Sequence, residues 1–198
     1  MPSAPRFIRF VVTALVLFIL LRAVAMAGFY PPFVRALTAP LFLSFGGDRV
    51  ARLAAFDRAP GIYDSKLSLG SDARGTPEFV QDVLLDTVRV GYVPTALLAA
   101  LVLATPMPWR RKSKALLIGL LAVHAFVVVR LAVTALFGFS LAEVDGRRLL
   151  PLAPWGTSVL AAAAKILSDD YHLSYIVPIL LWVAVTRAQG RYLGGLFA

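Results

Sequence analysis

Five side chains in this sequence could do chemistry in an otherwise apolar setting: Arg22, Arg89, Arg130, His124 and His172. A guanidinium stays charged and offers a planar fork of donors, so it grips carboxylates or phosphates two-handed. Histidine can take or give a proton near neutral pH. The chain has no cysteine, which removes disulfides, thiolate nucleophiles and cysteine metal sites. Two histidines far apart in sequence make a poor metal site, and neither a metal nor any other cofactor is expected. The P-loop, G-x-S-x-G, H-E-x-x-H and Rossmann patterns are missing.

The elements that must position these residues follow from how charge is sorted. All 11 acidic residues fall in two windows, Asp48 to Asp86 and Glu143 to Asp170. The rest carries apolar runs and three positive clusters, Arg6/Arg9, Arg110/Arg111/Lys112/Lys114 and Arg187/Arg191. Short cytoplasmic loops collect Lys and Arg, so the sorting predicts both spans and orientation. A hydrophobic fraction of 59% and a mean hydropathy of +0.78 agree with a membrane protein. The net charge of +9 sits beside apolar runs, where anionic lipid headgroups attract it, and no nucleic-acid recognition pattern appears.

The expected fold is all-α and polytopic: a single integral membrane domain, 1–198, with both termini cytoplasmic. Its four spans cover about 10–30, 90–106, 115–139 and 171–186, and its outer segments are 31–86 and 140–170. A cleaved signal peptide ending near Ala23-Val24-Ala25 competes with the first span, but Arg22 and the length of the run favour a retained anchor. In the first outer segment, Leu37–Phe45 is too short to span and is expected at the interface, closed by Gly46-Gly47. Val50–Phe56 has the spacing of a short amphipathic helix. Residues 60–76 read as turns and loop, and Thr76-Pro77-Glu78 as the start of a helix leading into the second span. Val159–Leu167 is expected to be helical.

By the helix rise of about 1.5 Å per residue, Arg130 lies roughly 22 Å from the cytoplasmic face. Arg22, Arg89 and His172 fall at the same outer level, so all four could converge on one outward-facing site. The blander alternatives are that Arg22 and Arg89 snorkel to the interface and that His172 is an interfacial residue. His124, about 120° around the helix from Arg130, fits a helix–helix hydrogen bond better than a shared site.

The stretch Arg89-Val-Gly-Tyr-Val-Pro-Thr, the span ending Ala104-Thr-Pro-Met-Pro-Trp-Arg-Arg and the later Val127-Val-Val-Arg130 together resemble the exosortase/archaeosortase family, especially the short exosortase H-like forms. Members are polytopic membrane proteins resembling cysteine transpeptidases, thought to process C-terminal sorting signals with Cys, Arg and His. Their pattern is Cys-x-Gly, a span closed by a proline-rich turn with Trp-Arg, and then Asn-x-x-Arg. The resemblance puts Gly91 on the motif glycine, Arg130 on the family arginine and His172 on the family histidine. Arg89 stands where the cysteine would be and Val127 where the asparagine would be. The chain contains neither residue type, so no realignment restores them. A permanently protonated guanidinium is no substitute for a thiolate.

The resemblance therefore implies a non-catalytic, exosortase-like subunit of the bacterial inner membrane. It would assist an envelope protein-sorting complex by presenting or gating the sorting segment. Its partners would be membrane lipid and another membrane protein, such as an active exosortase, or a secreted substrate. Two alternatives stay open. One is an anion- or lipid-binding structural subunit of another membrane assembly. The other is a membrane hydrolase or transpeptidase whose nucleophile is Ser140, Thr95 or a water activated by His172.

Overall fold

The computed structural model describes residues 4–25, 28–44, 49–56, 63–72, 75, 78–144, 146–169 and 172–188. Gly46-Gly47, the Thr76-Pro77 pair, Gly61 and Arg191 lie outside them. The chain divides into two compact units, Met1–Ala27 with Gly91–Phe126 and His172–Ala198, and Gly28–Val90 with Val127–Tyr171.

The first unit is helical. It holds α1 (Ala4–Ala25), α3 (Val93–Ala104), the N-terminal part of α4 (Trp109–Leu141) and α6 (Leu173–Ala188). Helix α3 packs against both α1 and α6. Pro94 sits in its first turn, where no intrahelical N–H bond is lost. Its C-terminus turns extended at Thr105, and Lys112 Nζ donates to Leu103 O at 2.6 Å, a cation where the helix end is negative. The core joins Phe10, Leu98, Val102, Val123, Trp182 and Val185. Trp182 stacks on Phe10 with centroids 5.4 Å apart, and its indole N–H donates to Thr105 Oγ1 at 2.9 Å. Tyr92 Oη donates to Leu21 O at 2.6 Å, tying the start of α3 to the end of α1.

The second unit contains α2 (Tyr30–Leu43) and an antiparallel meander of β1 (Arg49–Ala55), β2 (Ser65–Ser71) and β3 (Glu78–Leu85), in the order β1-β2-β3. Tyr30, Val34, Thr38 and Phe42 recur every fourth residue and form the buried stripe of α2, which packs against β1. Leu67 and Leu69 project from β2 into the interior, fully buried. The β2–β3 pairing shifts register between Leu69 and Gly70, where a Cβ on Gly70 would collide with the Glu78 carbonyl. Gly138 of α4 plays a similar part, since a Cβ there would run into Leu69 Cδ1 and meet Val83 Cγ2 at 3.9 Å. A small hairpin, β4 (Glu143–Val144) with β5 (Arg147–Arg148), turns at Gly146 with φ 74°. Helix α5 (Pro154–Ala164) and a π-helical turn (Lys165–Asp169) follow.

The fold is mostly helical, but the all-α expectation is corrected by the three-stranded sheet. Each strand replaces a different expectation: β1 the amphipathic helix at 50–56, β2 part of the loop at 60–76, and β3 the helix opening at Glu78. The first apolar run is also not one helix to Tyr30. Gly28, at φ 74°, separates α1 from α2, and the 37–45 stretch falls largely within α2. Among the described residues, one helix is long and apolar enough to cross a membrane: α4, with hydropathy 2.5 over its apolar window. Val88–Ala104 and Leu173–Ala188 are apolar but shorter. Helix α5 covers most of the 159–167 stretch that was expected to be helical.

Candidate functional site

The sequence from Val88 to Tyr92 forms a π-helical turn leading into α3. Such turns widen the backbone and often mark functional sites. Two carboxylates from the second unit hold its start. Asp86 Oδ1 accepts from Arg89 N at 2.8 Å, and Asp64 Oδ2 accepts from Val88 N at 3.1 Å. Both satisfy N–H groups that a helix start leaves open, at its positive end. Asp64 Oδ1 also receives Ser65 Oγ at 2.6 Å and Thr87 Oγ1 at 2.7 Å, and Arg35 Nη1 donates to Ser65 Oγ at 3.1 Å. Burial pushes the Asp86 carboxyl above its ordinary value; the Arg89 N–H bond opposes this and the nearby Asp64 charge adds to it.

Arg130 is 1% exposed, and its Nη1 donates to Val90 O at 3.4 Å. One turn further along α4, Thr134 Oγ1 donates to Arg130 O at 2.9 Å. Val90 and Thr134 both line a cavity of about 580 Å³. Its walls come from β3 and the residue after it (Gln81, Val83, Leu84, Leu85, Asp86), from α4 (Thr134, Phe137, Gly138, Leu141) and from the end of α5 with its following turn (Ala161, Ala164, Lys165). Most of the lining is apolar, with one carboxyl, one ammonium, an amide and two hydroxyls; Tyr63 supplies the second hydroxyl. That is the composition of a binding pocket, where a few polar groups fix orientation.

The sequence-derived residues divide between the units. Arg89 and Arg130 belong to the second, and Arg130 reaches the peptide group of the residue that follows Arg89. The Arg89 side chain is exposed, while its N–H is fixed by Asp86. Gly91, Arg22, His124 and His172 belong to the first unit. Gly91 is buried, and its carbonyl accepts from Thr95 Oγ1 at 2.8 Å. Arg22 is exposed in the last turn of α1, where a cation suits the helix end. His172 is exposed ahead of α6, and its carbonyl accepts from Tyr175 N and Ile176 N. His124 Nδ1 lies 2.8 Å from Leu120 O. A carbonyl only accepts, so Nδ1 carries the proton in this bond to the ring's own helix.

The hydroxyls considered as nucleophiles are occupied in similar fashion. Ser140 Oγ, fully buried, donates to Phe137 O at 2.7 Å, and Thr95 donates to Gly91 as above. The carboxylates Asp64 and Asp86 were not singled out from the sequence. Asp86-Thr87 just ahead of an apolar run is the relevant signal, a helix-capping pair. Compared with protein-family models, curated proteins and solved structures, the chain matches none of them.

Proposed function

We propose that this chain is a non-catalytic, exosortase-like subunit of a bacterial inner-membrane complex, holding a sorting segment for a catalytic partner. The observation that carries it is the pairing of a retained cation with a lost nucleophile. Arg130, on the family arginine, is buried and holds the turn at Val90, while an exposed arginine occupies the nucleophile position at 89. The cavity bordered by Val90 and Thr134 supplies room for a ligand.

The proposed topology keeps four spans with both termini cytoplasmic. Helix α1 has 22 residues, so it is roughly 33 Å long and matches the hydrocarbon thickness. Large apolar side chains on α1 (Ile8, Leu15, Ile19), α4 (Leu117, Leu121) and α6 (Leu180) are more than half exposed. Apolar exposure on that scale is unfavourable in water and natural in lipid. Single cysteines can be read without interference because the chain has none. A cysteine at Ser158 should react with an impermeant thiol reagent added to cells with a permeabilised outer membrane, and one at Ser113 should not. The opposite pattern inverts the topology.

Affinity purification from native membrane in mild detergent tests the function itself. A cysteine-bearing exosortase should co-elute with the chain. Recovery of the chain alone, with sorting unaffected by its deletion, removes the proposal.

A further inference from the structure

Helix α5 carries an exposed apolar stripe. Trp155, Val159 and Ile166 are 75%, 62% and 59% exposed, and Ala162 between them is exposed as well. At 100° per residue, Trp155, Val159, Ala162 and Ile166 fall within roughly 60° of one another around the helix. Ser158 and Lys165, both exposed, run along one border of this stripe. The opposite side is turned inward: Ala164 is buried, and with Ala161 it lines the cavity. Scattered apolar residues on a surface need no explanation, but a stripe at helical spacing that includes a tryptophan marks a contact face.

We infer that this face of α5 is seated in the outer leaflet of the membrane, with the helix lying parallel to the surface. The inference rests on the membrane topology proposed above and is independent of the subunit role. Phe137, Gly138 and Leu141, from the last turns of α4, line the same cavity as Ala161 and Ala164. Helix α5 therefore stands beside the end of α4, the one helix among the described residues long and apolar enough to cross a membrane. That end is the outer one under the proposed topology. Leu141 is itself 51% exposed, so apolar surface continues from α4 towards α5. With 11 residues α5 is about 16 Å long, too short to span but suited to an in-plane position. Tryptophan favours the membrane–water boundary, where its ring is in lipid and its N–H meets water. Charge agrees: residues 149–168 hold Lys165 and no acid, so anionic headgroups meet a cation and no repulsion. The Ser158/Lys165 border reaches the headgroups, which leaves a cysteine at Ser158 open to a water-borne reagent.

Nitroxide labels on single cysteines test this in the full chain, reconstituted in vesicles of phosphatidylethanolamine and phosphatidylglycerol. The variants are Val159→Cys and Ala162→Cys on the stripe, Ser158→Cys on its border and Leu121→Cys in α4. All four positions lie at exposed residues, so the fold should tolerate them. Spin relaxation by oxygen, which concentrates in lipid, is compared with relaxation by a water-soluble nickel chelate. Labels at 159 and 162 should favour oxygen, at a depth of about 5–10 Å, that of an interfacial helix. The label at 158 should admit the chelate, and the one at 121 should exclude it. Chelate reaching 159 and 162 as freely as 158, with 121 still in lipid, puts the stripe in water and overturns this inference alone. Exclusion of both reagents from 159 and 162, with 121 in lipid, means that protein covers the stripe, and overturns it equally. Chelate reaching 121 overturns the topology itself.

Discussion

Both units bury apolar side chains, but they differ in the charge they enclose and in their secondary structure. In the first, the core is Phe10, Leu98, Val102, Val123 and Val185 around Trp182, relieved by the Trp182–Thr105 hydrogen bond. In the second, Arg130, Ser65, Ser68, Thr87 and Ser140 are buried alongside Leu67 and Leu69. The first consists of helices, which close their backbone bonds internally. The second contains strands, which must find partners outside themselves. Lipid accepts only the first arrangement, because an open sheet edge in hydrocarbon leaves polar groups unmet. Under the proposed topology, the strand-bearing segment meets water and can keep a cavity with charged walls. The contrast teaches that greasy composition in this chain does not imply a uniform interior.

The largest effect expected is on the first unit. Trp182→Ala removes the Phe10 stack and the indole bond to Thr105, whose hydroxyl keeps its bond to Leu101 O, and should cost about 3–5 kcal/mol. Hydrogen exchange should show protection lost in α3 and α6 but kept in β2. Equal loss in both units would erase the energetic contrast. Gly70→Val strikes the other side, forcing a Cβ into the Glu78 carbonyl. It should cost about 1–3 kcal/mol and open β2 and β3 first; unchanged exchange there would mean the register shift is tolerant.

Arg130→Leu should cost about 1 kcal/mol through the lost bond to Val90 while membrane insertion is unchanged. Recovery of the partner should nevertheless fall about tenfold or more, the scale for removing a buried charged contact. Arg130→Lys should lose the partner too, since an ammonium lacks the planar fork. Full recovery with Arg130→Leu would make this arginine a passenger.

The smallest effect concerns pH. An acid raised in the folded state binds more protons folded than unfolded, so stability falls as pH rises from its ordinary 3.8 through the raised value. Asp86→Asn should therefore raise Tm at pH 7 and leave it unchanged well below 3.8. Asp82 runs the other way. Hydrogen bonding from Ser68, with Lys66 adding to it, holds its carboxyl below the ordinary value, and the stability it contributes fades as pH drops below 3.8. An Asp86→Asn profile identical to the parent's would mean its burial carries no cost.

Helices α3, α4 and α6 were legible in the sequence because their apolar runs are longer than a typical strand. The strands were not. In β1, Val50, Leu53 and Ala54 suit a helical stripe, and only pairing with β2 selects a strand. Strand β2 offers just Leu67 and Leu69 among serine and glycine, a composition typical of turns. Strand β3 begins where Glu78 follows proline, a helix-start signal that pairing with β2 overrides. At the site, Arg130 stood out as a charge inside an apolar run. The role of Asp64 could not be foreseen, because only the folded meander brings it to Thr87 and Val88.

The stacked and hydrogen-bonded Trp182 also gives the protein an optical reporter. Of its three indoles, Trp109 and Trp155 are 68% and 75% exposed, whereas Trp182 is 8% exposed. Replacing the first two with phenylalanine leaves a single emitter seated between Phe10 and Thr105, away from solvent dipoles. Its emission should be blue-shifted and hard for iodide to quench. A red shift would then register disturbance of the helical core, whereas changes at β3 should leave the colour as it was.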